Sequence, residues 1–157
     1  NRIPTDRYVI FAGDFNFYDG EDRDDPAIEE IYSHEFREIE SLKGRDTNVS
    51  FTEAYDRFFL TENQYFVVGV DESGKERGGV FNPFNYVYKI DEIDSYKSAM
   101  EDDYTGSKDT SEPGFFESYY QHPWRKNQIS DHFPIWFELI IDSSDNFLQE
   151  KMVELEE

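Results

Sequence analysis

The chain has 157 residues, with 36 Asp and Glu against 15 Lys and Arg, so its formal net charge is −21 at pH 7. The length fits one domain with its own core, and the absence of Cys excludes disulfides, thiolate nucleophiles and Cys-ligated metals. The excess negative charge repels nucleic acid and anionic membranes at long range, so a nucleic-acid role needs a local cationic or metal-bearing site. Fifteen Phe, 11 Tyr and 2 Trp supply core material that disordered chains lack, so we expect a folded chain.

No apolar stretch approaches the roughly 18 residues that a membrane span requires. We therefore expect a soluble chain with no membrane span. Localisation stays open, because net charge describes solubility and association rather than compartment. A secreted protein is one option.

The first half of the chain predicts a buried strand, a helix and two further strands. Residues 7–12 form a short β-branched and aromatic run that ends at Gly13, typical of a buried strand. Asp25 and Pro26 are suited to the N-cap and first position of a helix over residues 26–32. Residues 50–60 and 64–70 predict two paired strands joined by a tight turn.

The second half is richer in loops. Residues 71–75 predict a surface loop, and the Asn-Pro step inside residues 80–90 makes that stretch an edge strand or an ordered loop. A short helix is expected over residues 94–102, followed over residues 103–114 by a long surface loop, the segment expected to be most mobile. Residues 134–141 predict the last strand.

Helical spacing of apolar residues from Asn146 to Glu157 predicts a packed terminal helix. The order strand, helix, strands, helix, strand indicates an α+β fold with a mainly antiparallel sheet rather than an alternating parallel one. We treat residues 1–157 as a single domain or half-domain, with residues 142–157 as a terminal helical extension.

A carboxylate and an amide follow the first predicted strand, in Gly13-Asp14-Phe15-Asn16. If the strand alternation continues, Asp14 and Asn16 project to one face and Phe15 to the other. Such a pair could hold a water or a metal and donate a hydrogen bond to a phosphate oxygen. The alternative is an Asx turn that ends the strand.

A carboxylate and an imidazole precede the last predicted strand, in Ser130-Asp131-His132-Phe133-Pro134. Alone, an Asp-His pair at a loop end is most often a solvated turn. A third segment, in which Asp56 is followed by the largely apolar run Arg57-Phe-Phe-Leu60, is by itself typical of a strand-edge ion pair. The order of the three segments is what makes them informative.

Together these segments resemble the endonuclease/exonuclease/phosphatase superfamily, the metal-dependent phosphodiesterases related to pancreatic deoxyribonuclease. The resemblance covers residues 8–141 and is specific only at the three segments. It implies the carboxyl-terminal portion of a four-layer αββα sandwich. The amino-terminal half, which should carry an Asn and a metal-binding Gln-Glu, has no counterpart here, so we expect this chain to be part of a longer protein and inactive alone.

The resemblance also implies the site roles. Asp14 would position or deprotonate the attacking water, Asn16 would donate to a phosphate oxygen, and Asp131 would help bind Mg²⁺, with Mn²⁺ or Ca²⁺ as alternatives. His132 would hydrogen-bond the phosphate while Asp56 accepts from its other ring nitrogen. Separately from the resemblance, the sequence at His122 and Arg125 could contact a phosphate backbone or a base.

Three functions stay open from the sequence. The first is a Mg²⁺-dependent nuclease acting on nucleic acid. The second is a phosphoesterase of the same fold acting on a phospholipid, an inositol phosphate or another small phosphoester. The third is an interaction module in which the site residues are catalytically idle.

Overall fold

The computed structural model describes residues 9–17, 26–61, 66–141, 148–149 and 152–153. It is an α+β structure of small antiparallel sheets and short helices, which confirms the predicted class. The strands are β1 (Ile10–Asp14), β2 (Arg37–Glu38), β3 (Asp56–Leu60), β4 (Phe66–Val68), β5 (Gly78–Val80), β6 (Ile135–Phe137) and β7 (Leu139–Ile141). The α-helices are α1 (Pro26–Ser33), α2 (Ile93–Asp103), α3 (Phe115–Tyr119) and α4 (Arg125–Gln128). A π-helical turn (Tyr120–Trp124) and two 3-10 helices (Pro83–Asn85 and Ile90–Glu92) complete the helical elements.

The first sheet has the antiparallel order β1-β3-β2. The register pairs Ile10 with Leu60 and Asp14 with Asp56, so β1 and β3 match over their full lengths. The first strand predicted from the sequence therefore exists, but its predicted burial is wrong. All five residues of β1 are exposed, because among the described elements β1 pairs with β3 alone and none covers it.

The predicted hairpin between residues 50–60 and 64–70 is wrong. Both strands form, as β3 and β4, but they belong to different sheets. The two edges of β3 are taken by β1 and β2, so β4 has no free edge of β3 to pair with. Apolar alternation indicates that a segment is a strand but carries no information on its partner.

The second layer is a ribbon in which β6 pairs with β5 and β7 pairs with β4. The strand predicted over residues 134–141 is thus divided in two at Glu138. Opposite Glu138, residues 69–77 leave the ladder as a small hairpin, closed by the hydrogen bond from the Arg77 backbone N–H to the Gly69 carbonyl (2.7 Å). An exposed ion pair between Arg77 and Glu138 spans the break at 2.9 Å. The predicted loop at residues 71–75 is the tip of this hairpin.

The main core lies between the sheet and the ribbon. Its buried members come from the β2 region, β3 and β4: Ile39, Leu42, Leu60 and Val68. A second core cluster is helical and aromatic, with Met100 from α2 packed against Tyr120 and Trp124 of the π-helical turn. The end of β3 that carries Asp56 lies outside the main core. It contacts His132, in the segment that precedes β6.

The next predicted segments are two helices and two loops. The helices expected at residues 26–32 and 94–102 are confirmed by α1 and α2. The stretch 80–90 is largely an ordered loop, since β5 ends at Val80. Residues 104–114 form the expected loop.

The helical segment 115–128 was not predicted, because Pro123 interrupts its pattern; the structure accommodates this proline in the π-helical turn. The predicted terminal helix at residues 146–157 lies largely outside the described residues, of which 148–149 and 152–153 are helical. Among the helices that the structure describes, none is long and apolar enough to cross a membrane.

Candidate functional site

The structure brings the side chains of Asp56 and His132 together although they are 76 residues apart. Asp56 Oδ2 lies 2.7 Å from His132 Nδ1, and both side chains are mostly buried, at 20% and 26% exposure. The Tyr55 ring stacks on the imidazole at 5.7 Å between ring centres. Because a hydrogen on Nδ1 is donated to Asp56, the ring orientation is set and Nε2 is the nitrogen left for another partner.

Thr47 connects the two segments that carry this pair. Its hydroxyl oxygen accepts a hydrogen bond from the Asp56 backbone N–H (3.0 Å), and its carbonyl accepts one from the Phe133 N–H (2.6 Å). Thr47 is 1% exposed. The next residue, Asn48, forms an isolated antiparallel bridge with His132. Thr47 was not predicted to belong to the site, because its only sequence signal is a Thr-Asn step typical of turns.

Asp14 lies directly opposite Asp56 across the β1–β3 ladder. It is exposed, and its Oδ1 accepts a hydrogen bond from the Asn16 backbone N–H at 3.1 Å. Asn16 has a left-handed φ of 50°. The expected alternation of Asp14 and Asn16 along one strand is therefore wrong: β1 ends at Asp14, and an Asx turn follows, the alternative that the sequence left open.

Phe15 holds this turn against β3 and the residue that precedes it. Its backbone N–H donates to the Tyr55 carbonyl (2.9 Å), and its ring meets the buried Phe59 edge-on at 5.1 Å between centres. Tyr55 therefore contacts both halves of the site, through its carbonyl toward the Asp14 turn and through its ring toward His132. The turn that holds Asp14 is thus tied to the strand that holds Asp56.

Asp131 is exposed, with 63% of its side chain accessible and Lys126 Nζ at 4.0 Å from its Oδ2. Exposed ion pairs of this kind contribute little to stability, so the carboxylate is available to another ligand. In the part of the chain that the structure describes, no group of three or more His, Asp or Glu could hold a metal ion. Mg²⁺ commonly uses one or two protein carboxylates together with waters and phosphate oxygens, and the exposed carboxylate of Asp131 is a donor of that type.

His122 and Arg125 lie in the aromatic helical segment. His122 is exposed in the π-helical turn, and Arg125 opens α4. The Arg125 guanidinium carbon lies 4.1 Å from the centre of the Phe84 ring, and burial lowers the pKa of this arginine. Phe84 in turn meets Phe133 at 5.9 Å between ring centres, which connects Arg125 to the residue after His132.

Comparison with protein-family models gives no match, and neither do comparisons with curated proteins and with solved structures. The candidate site is accordingly defined by its own geometry: the Asp56–His132 pair, Asp14 across the ladder from it, and Asp131 beside His132 in sequence.

Proposed function

We propose that this chain is part of a divalent-metal-dependent phosphodiester hydrolase of the endonuclease/exonuclease/phosphatase type. The observation that carries the proposal is the 2.7 Å contact between Asp56 and His132, with Asp14 as the cross-strand partner of Asp56. These are the residues to which the motif resemblance assigns the chemistry. Both side chains are partly buried, and neither residue belongs to the core clusters of the described residues.

Each of the proposed catalytic groups has a distinct task. Asp14 is exposed at a strand end and orients or deprotonates the attacking water. Its Oδ1 is held by the Asn16 N–H, so Oδ2 is the oxygen directed to that task. His132 donates from Nε2 to a phosphate oxygen when the ring is doubly protonated, because Nδ1 is already committed to Asp56. Asn16 contributes a further hydrogen bond to the phosphate.

Mg²⁺ held by Asp131 would supply positive charge to the phosphoryl oxygens and acidify a bound water. His122 and Arg125 are the proposed substrate contacts outside this catalytic group. The proposal extends to the fold: the chain would be the second half of a four-layer sandwich, whose first half provides a metal-binding Glu. Ile10 (41%) and Phe11 (49%) are exposed on opposite faces of β1, and another layer packed on one of these faces would cover the residue on that side.

The test is hydrolysis of bis(4-nitrophenyl) phosphate by the longest natural form of the protein that contains this chain. We expect turnover that needs Mg²⁺ or Mn²⁺, is lost with EDTA, and falls by about 100-fold or more in His132→Ala and in Asp14→Ala. His34→Ala is the matched control, because the exposed His34 follows the end of α1 and pairs there with Glu30 at 3.1 Å. Unchanged turnover in His132→Ala would contradict the proposal. It would favour the alternative that the chain is an interaction module whose site residues are catalytically idle.

A further inference from the structure

Two exposed aromatic rings form a stacked pair in the loop after β5. The rings of Phe81 and Tyr86 lie 5.3 Å apart between centres with 17° between their planes. They are 43% and 67% exposed, respectively, so most of the Tyr86 ring faces solvent. A parallel pair of this kind presents a flat aromatic face on which a further planar ring can stack.

This pair is held close in structure to His132. The Phe81 backbone N–H donates to the carbonyl of Pro134, two residues beyond His132, at 2.8 Å. The loop between the two rings is ordered by local bonds: Asn82 Oδ1 accepts from the Phe84 N–H (2.9 Å), and the Tyr86 N–H donates to the Pro83 carbonyl (2.9 Å). Little conformational entropy is therefore lost when a ligand stacks on this face.

A cation that forms no ion pair with an acidic residue in the described part of the chain lies beside the same loop. The Arg125 guanidinium is placed over the Phe84 ring at 4.1 Å and near the Tyr120 ring at 5.7 Å. Its buried Nε has no hydrogen-bond partner among the described residues. None of the ion pairs that those residues form includes Arg125. This is notable in a chain with 36 acidic and 15 basic residues. Arg125 is half-buried, so an anion can still reach it.

We propose that the Phe81–Tyr86 pair and Arg125 form a nucleotide-binding surface beside the Asp56–His132 pair, for a base and a phosphate of a single-stranded nucleic acid. The inference rests on the proposed function and specifies its substrate class. A base supplies the planar ring that the exposed pair can stack on, and the backbone supplies the anion that Arg125 lacks. An inositol ring is puckered and has no π-face, and the bases of a duplex are stacked on each other.

The first experiment measures binding rather than turnover, so that it does not depend on catalysis. Binding of a fluorescent oligothymidylate to the 157-residue chain is followed by anisotropy in EDTA at low salt. We expect saturable binding that Tyr86→Ala weakens at least about fivefold. Phe11→Ala is its control, an exposed aromatic residue on β1. An abasic oligomer of the same length should bind more weakly than oligothymidylate.

Arg125→Gln is compared with Arg77→Gln, because each removes one positive charge from a chain that is already strongly acidic. We expect a loss only in Arg125→Gln, whereas equal losses would indicate general charge repulsion and overturn the assignment to Arg125. Since Arg125→Gln also removes a packed side chain, circular dichroism must show that it folds, and the exposed Tyr86 variant provides the test if it does not.

Absence of saturable binding, or equal binding of the abasic oligomer, contradicts the inference. Either result leaves the proposed hydrolase intact, since that is tested separately with a small diester that needs no base. Loss of diester turnover in the His132 variant together with no oligonucleotide binding would indicate a phosphoesterase for small substrates.

Discussion

Tyr120 is fully buried in the helical aromatic cluster, where its hydroxyl donates to the Lys89 carbonyl at 2.9 Å. Burial raises its pKa from 10.0 to about 12. In the unfolded chain the phenol ionises near 10, so between about pH 10 and 12 the unfolded state releases a proton that the folded state keeps. The stabilisation from this group is therefore complete below pH 10 and is lost as the pH rises toward 12.

We expect Tyr120→Phe to lose about 0.5–1.5 kcal/mol of stability at neutral pH through the missing hydrogen bond. Its free energy of unfolding should then fall less steeply than that of the wild type above pH 10. Urea unfolding at several alkaline pH values measures both effects, and tyrosinate absorbance follows the ionisation. Parallel pH profiles for the two proteins would show that Tyr120 is not the group responsible.

Individual residues of the site differ in how far the sequence predicts their positions. The sequence identified Asp56 and His132 through motif order, and the structure brings their side chains together. The geometry of Asn16 was not predictable from strand alternation, because its left-handed φ and its bond to Asp14 depend on where β1 stops. Thr47 carried no signal of a role at the site beyond a Thr-Asn step typical of turns, because its bonds to Asp56 and Phe133 form only in the folded chain.

Among the elements, β5 lies very close to its neighbours at Gly78. A Cβ added there would meet Ser41 Oγ at 2.6 Å and the Trp136 carbonyl oxygen at 3.0 Å. The second contact is with backbone and cannot be relieved by a rotamer change. Gly78 is thus required by the close approach of β5, β6 and the turn that contains Ser41.

We expect Gly78→Ala to destabilise the chain by about 1–3 kcal/mol, as overpacking of a close contact does. Gly13→Ala is the matched control, because a Cβ at Gly13 in β1 would meet no atom within 4 Å. Thermal unfolding of both variants measures the difference. Equal melting temperatures would mean that β5 and β6 do not approach as closely as described.

For the whole molecule, the net charge of −21 dominates the electrostatics. Mutual repulsion of the carboxylates opposes the compact state, and salt screens it as the Debye length shortens from about 30 Å at 0.01 M to about 10 Å at 0.1 M. We expect the melting temperature to rise by at least about 2 °C over that range, the shift that about 1 kcal/mol produces at this size. The increase should vanish near the isoelectric point, and a salt-independent melting temperature at neutral pH would contradict the expectation.

From the sequence alone we could predict the α+β class, most of the strands, the helices α1 and α2, and the segments that carry Asp14, Asp56 and His132. The class and the elements follow from composition and local periodicity, which act within a few residues of the chain, whereas the three segments follow from the motif resemblance. The three-dimensional fold was needed to see that β3 pairs with β1 and β2 instead of β4, and that the Phe81–Tyr86 pair lies beside the strand after His132. Strand pairing and side-chain contacts depend on how segments that are far apart in sequence fit together in three dimensions. Local sequence patterns contain no information on that fit.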